Sequence, residues 1–385
     1  MTAKAMTRFA GTATLAGLAL VALALPASAD DRCLAKAIDN AQANAALHGQ
    51  IVVSTRSREG SQDTTVIAGS STTPLQGDEG FRIASVTKTY VAATALRLSE
   101  DGKLDLQAPI SRWLPAQWTR LLASDGYAPD RITVRQLLSH TSGLADHAQA
   151  PQFIAAIKAD PTVAATPGDH VRHLVEWTQP LGEPGARFSY SDTGYILLGT
   201  IIERVTGQSL PQAVRAELRL DDLGLPGTYW EQAEPAKGRA RAHQWFEGLD
   251  TYHWSPTMDL YGGGGIVATT QDMATFMSAL LQGKVFHRPE TLKLMQSAEG
   301  LPKDSTYRLG IFAYDFDGVA AAGHSGFWGT LVATEPTSGR TIAGAVTDRS
   351  DFPRLKSIVN DYLHQAAGHG AAAAAAAVCD ARAAD

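Results

Sequence analysis

The spacing of hydrophobic positions changes character twice along this chain. Gln50-Ile51-Val52-Val53-Ser54-Thr55 and Thr64-Thr65-Val66-Ile67-Ala68 are short runs rich in β-branched residues, and they predict a pair of strands. Before them, residues 35–47 carry a helical spacing. From Phe81 to Leu260 helical patterns and loops dominate. Phe81-Arg82-Ile83-Ala84 reads as extended, and Thr89 to Leu98 as a mostly apolar helix closed by Asp101-Gly102. Ile132 to Leu138 opens another helix, with Thr133 and Gln136 at the separation of a capping box. Thr193 to Val205 is a strongly apolar helix stopped by Gly207, and Gln271 to Leu281 is closed by Gly283. After Tyr307 the texture shortens. Arg308–Tyr314, Gly318–Ala322, Thr330–Thr334 and Thr341–Val346 predict strands separated by turn residues, and Arg354 to Gln365 a final amphipathic helix. Strands and terminal helices therefore stand at both chain ends and flank a helical stretch. No internal repeat is present.

Composition narrows the classes. A chain of 385 residues with a net charge of -6 can build one large core or two intimate domains, and carries no basic excess for nucleic acid. Lys4 and Arg8, the apolar run Leu15 to Pro26, and Ala27-Ser28-Ala29 have the form of a cleavable export signal, with Asp30 as the first mature residue. The expected location is the periplasm or the medium, with no membrane span in the mature protein. The two cysteines, Cys33 and Cys379, lie near the ends of the chain and suggest one disulfide in an oxidising compartment. The alanine run Ala371 to Ala377 marks residues 367–385 as a low-complexity tail.

The chemistry begins at Ser85-Val86-Thr87-Lys88, the single Ser-x-x-Lys of the sequence, placed where a helix should start. Residues three apart share a helix face, so Lys88 can reach the Ser85 hydroxyl. A serine hydroxyl is a poor nucleophile until a base withdraws its proton, and a lysine in the right environment can do so. Two further segments join it: Phe188-Ser189-Tyr190-Ser191-Asp192-Thr193 before the apolar helix, and Gly323-His324-Ser325-Gly326-Phe327-Trp328-Gly329 at a predicted strand. Other chemistries are excluded. Asp146-His147 and His243 lack metal-ligand spacing, and no Gly-x-Ser-x-Gly elbow occurs. Gly262 to Gly265 is not followed by Lys-Ser/Thr, so it reads as a tight turn near a pocket rather than a phosphate loop. Trp230, Trp245, Phe246, Tyr252 and Trp254 either line a cleft or fill a loop-rich core.

Ser-x-x-Lys, Tyr-Ser-Asp and His-Ser-Gly, in this order, resemble the penicillin-recognising serine hydrolases. That group holds class C β-lactamases, D-alanyl-D-alanine carboxypeptidases, D-aminopeptidases and related esterases. Gly102-Lys103-Leu104-Asp105-Leu106, Leu137 to Leu144 and Gly264 to Thr270 with Asp272 extend the likeness over about Gln50 to Leu363. The resemblance implies an α+β fold: a five-stranded antiparallel sheet from about 48–80 and 300–366, flanked by helices, with a helical insert at about 81–260. The hydrolase domain would span 30–366 after a signal at 1–29. It implies Ser85 as the acylated nucleophile, Lys88 and Tyr190 sharing the proton work, and the N–H groups of Ser85 and Phe327 as oxyanion donors. Asp192, His324, Ser325 and Gly326 would bind substrate. Two positions depart from the family pattern. Asp192 stands where asparagine is usual and can only accept when ionised. His324 replaces a lysine and is a weaker, titratable cation. An ionised Asp192 would favour the ammonium form of Lys88 and leave more of the proton abstraction to Tyr190, whose pKa Lys88 would lower.

The expected activity is hydrolysis through an acyl-enzyme, without metal or cofactor, of D-amino-acid-containing peptides of cell-wall type, peptidoglycan fragments among them. A carboxylesterase, and a catalytically silent penicillin-binding-like regulatory protein, are the alternatives.

Overall fold

Ile51, Val53, Leu331, Ala333, Ile342 and Val346 fall into one apolar cluster, while their neighbours Val332 and Ala343 fall into another. That alternation is the period of two of a sheet covered on both faces. The computed structural model describes residues 34–39, 47–60 and 63–368. The sheet has strands β1 (Gln50–Arg56), β2 (Thr64–Gly69), β3 (Phe312–Phe316), β4 (Val319–Gly326), β5 (Thr330–Thr334) and β6 (Thr341–Val346). Their order is β2-β1-β6-β5-β4-β3, with every pairing antiparallel. The periodicity predicted these six; the resemblance implied five. Residues 34–39 are helical, as expected; 40–46 of that predicted helix lie outside the described residues, and Leu47 is not helical. The export signal, Cys33, Cys379 and the alanine tail also lie outside them.

Five helices position the site: α1 (Thr87–Glu100), α2 (Val134–Leu138), α3 (Asp192–Thr206), α4 (Thr270–Leu281) and α5 (Phe352–Gly368). The capping box read from Thr133 and Gln136 is present at the start of α2. Leu355, Ile358, Val359 and Tyr362 of α5 cover one face of the sheet together with Leu34 and Ile38. Gly344 admits that helix, because a Cβ there would overlap the Leu355 side chain. On the other face α4 lies against β1, β5 and β6, and its Phe276 stacks on Tyr90 of α1 at 3.6 Å between ring centroids. Most side chains of α1 are buried, which explains why its apolar signal runs all round rather than along a stripe.

Strands of two or three residues escape a period-based reading, and of the next three only the extended Phe81–Arg82 was read from sequence. Phe81–Arg82, Ile266–Ala268 and Tyr229–Trp230 form a small antiparallel sheet with Ile266–Ala268 at its centre. Arg82 locks it: its guanidinium donates to both carboxylate oxygens of Glu231, at 2.7 and 3.0 Å, and to the carbonyls of Thr251 and Trp254. From this anchored strand the chain passes through one turn of 3-10 helix, Ala84–Val86, straight into α1. Ala84 there has φ of 44°, in the left-handed region that costs an L-residue roughly 1–2 kcal/mol.

Candidate active site

The tight turn from the Arg82 strand into α1 fixes Ser85 at the helix N-terminus, and Lys88 follows on the same face. Lys88 is 0% exposed, yet its Nζ has three polar partners. It lies 2.9 Å from Ser85 Oγ, donates to the Gly263 carbonyl at 2.6 Å, and is ion-paired with Asp192 at the start of α3. The glycine run therefore brings backbone to the site. Gly262 has φ of 122°, and a Cβ on it would overlap the Tyr195 carbonyl oxygen. Two of the three partners, the carboxylate and the carbonyl, can only accept. The third, the hydroxyl, can accept or donate. An ammonium satisfies all three, and so does a neutral amine that receives the Ser85 proton. Transfer from Ser85 to Lys88 thus disturbs neither of the other two bonds.

Tyr190 sits over this centre, with the Lys88 ammonium position 5.1 Å from its ring centroid. Its hydroxyl is buried and makes no ordinary hydrogen bond among the described residues. Burial and then the Asp192 charge push its pKa well up, against a smaller downward pull from Ser85. The net direction is upward, so the expectation of an acidified Tyr190 is overturned. Asp192 takes up the lysine charge and adds its own repulsion. Tyr190 is held as a phenol, a proton donor. The loop that carries it is fastened by His140, whose Nδ1 accepts from the Ser191 N–H at 3.1 Å. His140 is buried, its pKa is pushed well down by burial, and its ring lies 4.1 Å from that of Tyr190.

His324 lies on β4 with its side chain wholly enclosed. The Ser325 carbonyl, 2.8 Å from Nδ1, can only accept, so Nδ1 carries the proton. Nε2 then accepts from the Tyr307 hydroxyl at 3.0 Å. Burial first, and Lys88 second, bring the His324 pKa down to about 3. The titratable cation read at this position is not formed: His324 is neutral, and Tyr307, missed in the sequence, occupies its Nε2. Only the strand register brings Tyr307 to it. Strand β3 pairs with β4 as far as Gly323, so His324 to Gly326 stand beyond that partner while remaining paired with β5. Gly326 is what lets this edge approach the nucleophile turn, since a Cβ there would overlap the Ile83 carbonyl oxygen.

All of this opens into a cleft of about 400 Å³. Ser85, Tyr190, Asp192, His324, Ser325, Gly326 and Phe327 line it, so the structure gathers the site residues read from sequence into one place, with Lys88 buried behind Ser85. Phe246, of the aromatic cluster, joins the lining. Trp230 and Trp254 are buried and Trp245 is largely exposed, so the cluster divides between the two readings. Three further lining residues were missed. Asp146, 8% exposed, has its pKa raised to about 8 by burial and by Asp192, and Asp259 to about 7, chiefly by burial. Arg349 arrives from the turn after β6. Asp146, two residues past the family-like Leu137 to Leu144, was weighed with His147 only as a metal pair. Asp259 and Arg349 carry no local signal. Among the described residues no group of His, Cys, Asp and Glu has a metal-binding arrangement, and no helix is long and apolar enough to cross a membrane.

Comparison with known proteins places these features in context. A family described as Beta-lactamase matches residues 34–366. Esterase EstB of Burkholderia gladioli is 38% identical over 170 residues, covering 43% of this chain and 42% of that protein. An uncharacterized protein of Mycobacterium tuberculosis is 30% identical over 246 residues, 58% of this chain and 60% of its own. The chain thus spans about half the length of the curated relatives it matches. A D-stereospecific amidohydrolase from Streptomyces superposes with a TM-score of 0.73 at 26% identity, over 86% of this chain and 97% of its own.

Proposed function

The chain belongs to the β-lactamase family of serine hydrolases, and from that premise we propose that Ser85 forms an acyl-enzyme with peptides and amides built on D-amino acids. The observation that carries this is the Lys88 ammonium site, with Ser85 Oγ at 2.9 Å and two fixed acceptors behind it. The free-amine form of Lys88 takes the Ser85 proton as Oγ attacks the substrate carbonyl, and the Asp192 carboxylate pairs with the ammonium that results. The carbonyl oxygen becomes an oxyanion beside the N–H groups of Ser85 and Phe327. Collapse breaks the bond to the leaving group, which takes its proton from the Tyr190 phenol. The Lys88 proton then passes to Tyr190, and both groups are restored. Water repeats the sequence on the acyl-enzyme and frees Ser85.

The stereochemistry of the proposed substrate is supported by the Streptomyces amidohydrolase, which is D-stereospecific. A second reading, carboxylester hydrolysis, is supported by the likeness to EstB and by the apolar cleft wall of Phe153, Phe246, Phe312 and Phe352. We further propose that the protein is exported, on the strength of the segment ending at Ala29. A mature N-terminus at Asp30, read by sequencing the secreted protein, is the expected result.

Intact-mass spectrometry with a penicillin and a fluorophosphonate tests the nucleophile. One adduct is expected on the wild type and none on Ser85→Ala. Lys88→Ala should lose nearly as much turnover, because the two residues act as a unit. A panel of a D-Ala-D-Ala peptide, a D-aminoacyl amide, a short aryl ester and a cephalosporin separates the readings. An adduct without turnover of any of them would instead identify a silent binding protein.

A further inference from the structure

We propose that a second pocket, behind one wall of the cleft, binds a phenol: a neutral single ring carrying one hydrogen-bond donor, with His170 Nδ1 as the acceptor. The proposal goes beyond the acyl-enzyme reading and does not rest on it.

The pocket lies between two helices. Pro151–Ala159 contributes Phe153 and Ile157. Pro167–Trp177 contributes His170, His173 and Trp177, spaced three and four residues apart and so on one face. Val163, from the loop between the helices, and Met258 complete the apolar wall. The volume is about 170 Å³, and an apolar cavity of about 150 Å³ is enough to hold benzene. His173 stacks on Trp177 at 3.8 Å between ring centroids and 9° between planes, so one side is a flat aromatic surface. Phe153 and Met258 line the cleft as well, which puts the pocket directly behind it.

His170 is 1% exposed. Its Nε2 lies 2.9 Å from the Thr257 carbonyl, which can only accept, so Nε2 carries the proton. Nδ1 is then a lone-pair nitrogen, and it is buried with no hydrogen-bond partner among the described residues. The His147 ring stands 4.7 Å away between centroids, but its own Nε2 is equally without a partner. Burial lowers the His170 pKa, which keeps the acceptor unprotonated. A buried acceptor left unmet is costly, and a ligand donor removes that cost. The other polar groups of the lining are engaged: Asp160 accepts from the N–H and the hydroxyl of Thr162, and the Ser255 and Thr257 hydroxyls share a hydrogen bond. One fixed acceptor among aromatic and aliphatic walls selects a molecule with one donor and an apolar body. Water seeks two to four polar partners, and a charge set against the enclosed His170 would be desolvated without a counter-ion. A phenol meets the nitrogen with its O–H and lays its ring on the apolar wall.

Fluorine NMR titration of the full protein with para-fluorophenol and para-fluorotoluene gives both Kd values, and needs no turnover. The phenol should bind with a Kd of about 1 mM or tighter. His170→Phe keeps a ring in place and removes the acceptor. It should weaken the phenol about tenfold, as the loss of one hydrogen bond does, and leave the toluene within about twofold. Ala156→Phe, at an exposed position on the pocket wall, should exclude both ligands with His170 intact. Neither Ala156 nor His170 lines the cleft, so the two variants report on this pocket alone. No saturable binding of the phenol by the wild type would overturn the proposal, and so would binding that Ala156→Phe leaves unchanged. Equal effects of His170→Phe on the two ligands, in a protein that still melts cooperatively, would overturn it as well. Should His170→Phe not fold, the Ala156→Phe result decides alone.

Discussion

Asp192 decides how the proton machinery is set. Where asparagine would offer Lys88 a neutral carbonyl, this carboxylate forms an ion pair with it and, by repulsion, helps to hold Tyr190 protonated. The arrangement suits a base that must accept a proton and an acid that must deliver one. Asp192→Asn removes the charge that stabilises the Lys88 ammonium, and a charge-assisted hydrogen bond is worth roughly 1.5–3 kcal/mol. Aryl-ester kcat/KM should therefore fall about tenfold or more. An asparagine amide can also donate to the acyl-amide carbonyl of a β-lactam, which an ionised aspartate repels. The ratio of penicillin acylation to ester hydrolysis should consequently rise. Second-order acylation constants and ester kinetics on both proteins measure it, and a falling ratio would contradict this account of Asp192. His324 shows the limit of residue-by-residue reading. Its motif marks the strand correctly, but its charge depends on enclosure and on Lys88, neither of which the motif contains.

At the scale of elements, the site depends on how closely β4 approaches the turn before α1. Thr330 on β5 donates its hydroxyl to the Ile83 carbonyl at 3.0 Å, and Gly326 lies against the same carbonyl. Gly326→Ala would drive the strand and the nucleophile turn apart. A displacement of about 1 Å can cost on the order of a hundredfold in rate, so kcat/KM should drop by roughly that factor. Circular dichroism and melting should still report a folded sheet, because the β4–β5 and β5–β6 pairings are unaffected. Activity within a few-fold of the wild type would mean that the approach is not critical. The capping box at Thr133 and Gln136 belongs to the same scale, and there the sequence was sufficient: both bonds are local, four residues close them, and no distant partner is needed.

For the molecule as a whole, buried ionisable groups around one cleft set the dependence of stability on pH. Asp146 and Asp259 have folded-state pKa values of about 8 and about 7, above the ordinary carboxylate value near 4. The folded protein keeps protons there that the unfolded chain releases, so stability falls as pH rises from about 4 through about 8. His324, brought down to about 3, works in the other direction. The unfolded chain takes up a proton below about 6.5 that the folded protein refuses, and stability falls as pH drops from there toward 3. Buried His140 and His147, also brought well down, add to that acid side, so the melting temperature should peak at mildly acidic pH. Asp146→Asn and Asp259→Asn should flatten the alkaline side, and scanning calorimetry from pH 4 to pH 9 would detect it. An unchanged alkaline slope in the double variant would place the effect elsewhere.

Much of this protein was settled by its sequence. The order of strands and helices, the Ser85–Lys88 pair on one helix face and the three motifs of the site follow from short-range periodicity, caps and spacing, which depend on neighbours along the chain. What only the tertiary structure decided are the states of the groups. His324 is neutral, Tyr190 is a phenol, the carboxyls of Asp146 and Asp259 titrate well above the usual range, and Arg349 has no carboxylate partner among the described residues although two flank it. Charge in a cleft is governed by desolvation and by partners hundreds of residues away, as when His48 and Gly49 engage Asp351 across the molecule. Those distances exist only once the chain has folded.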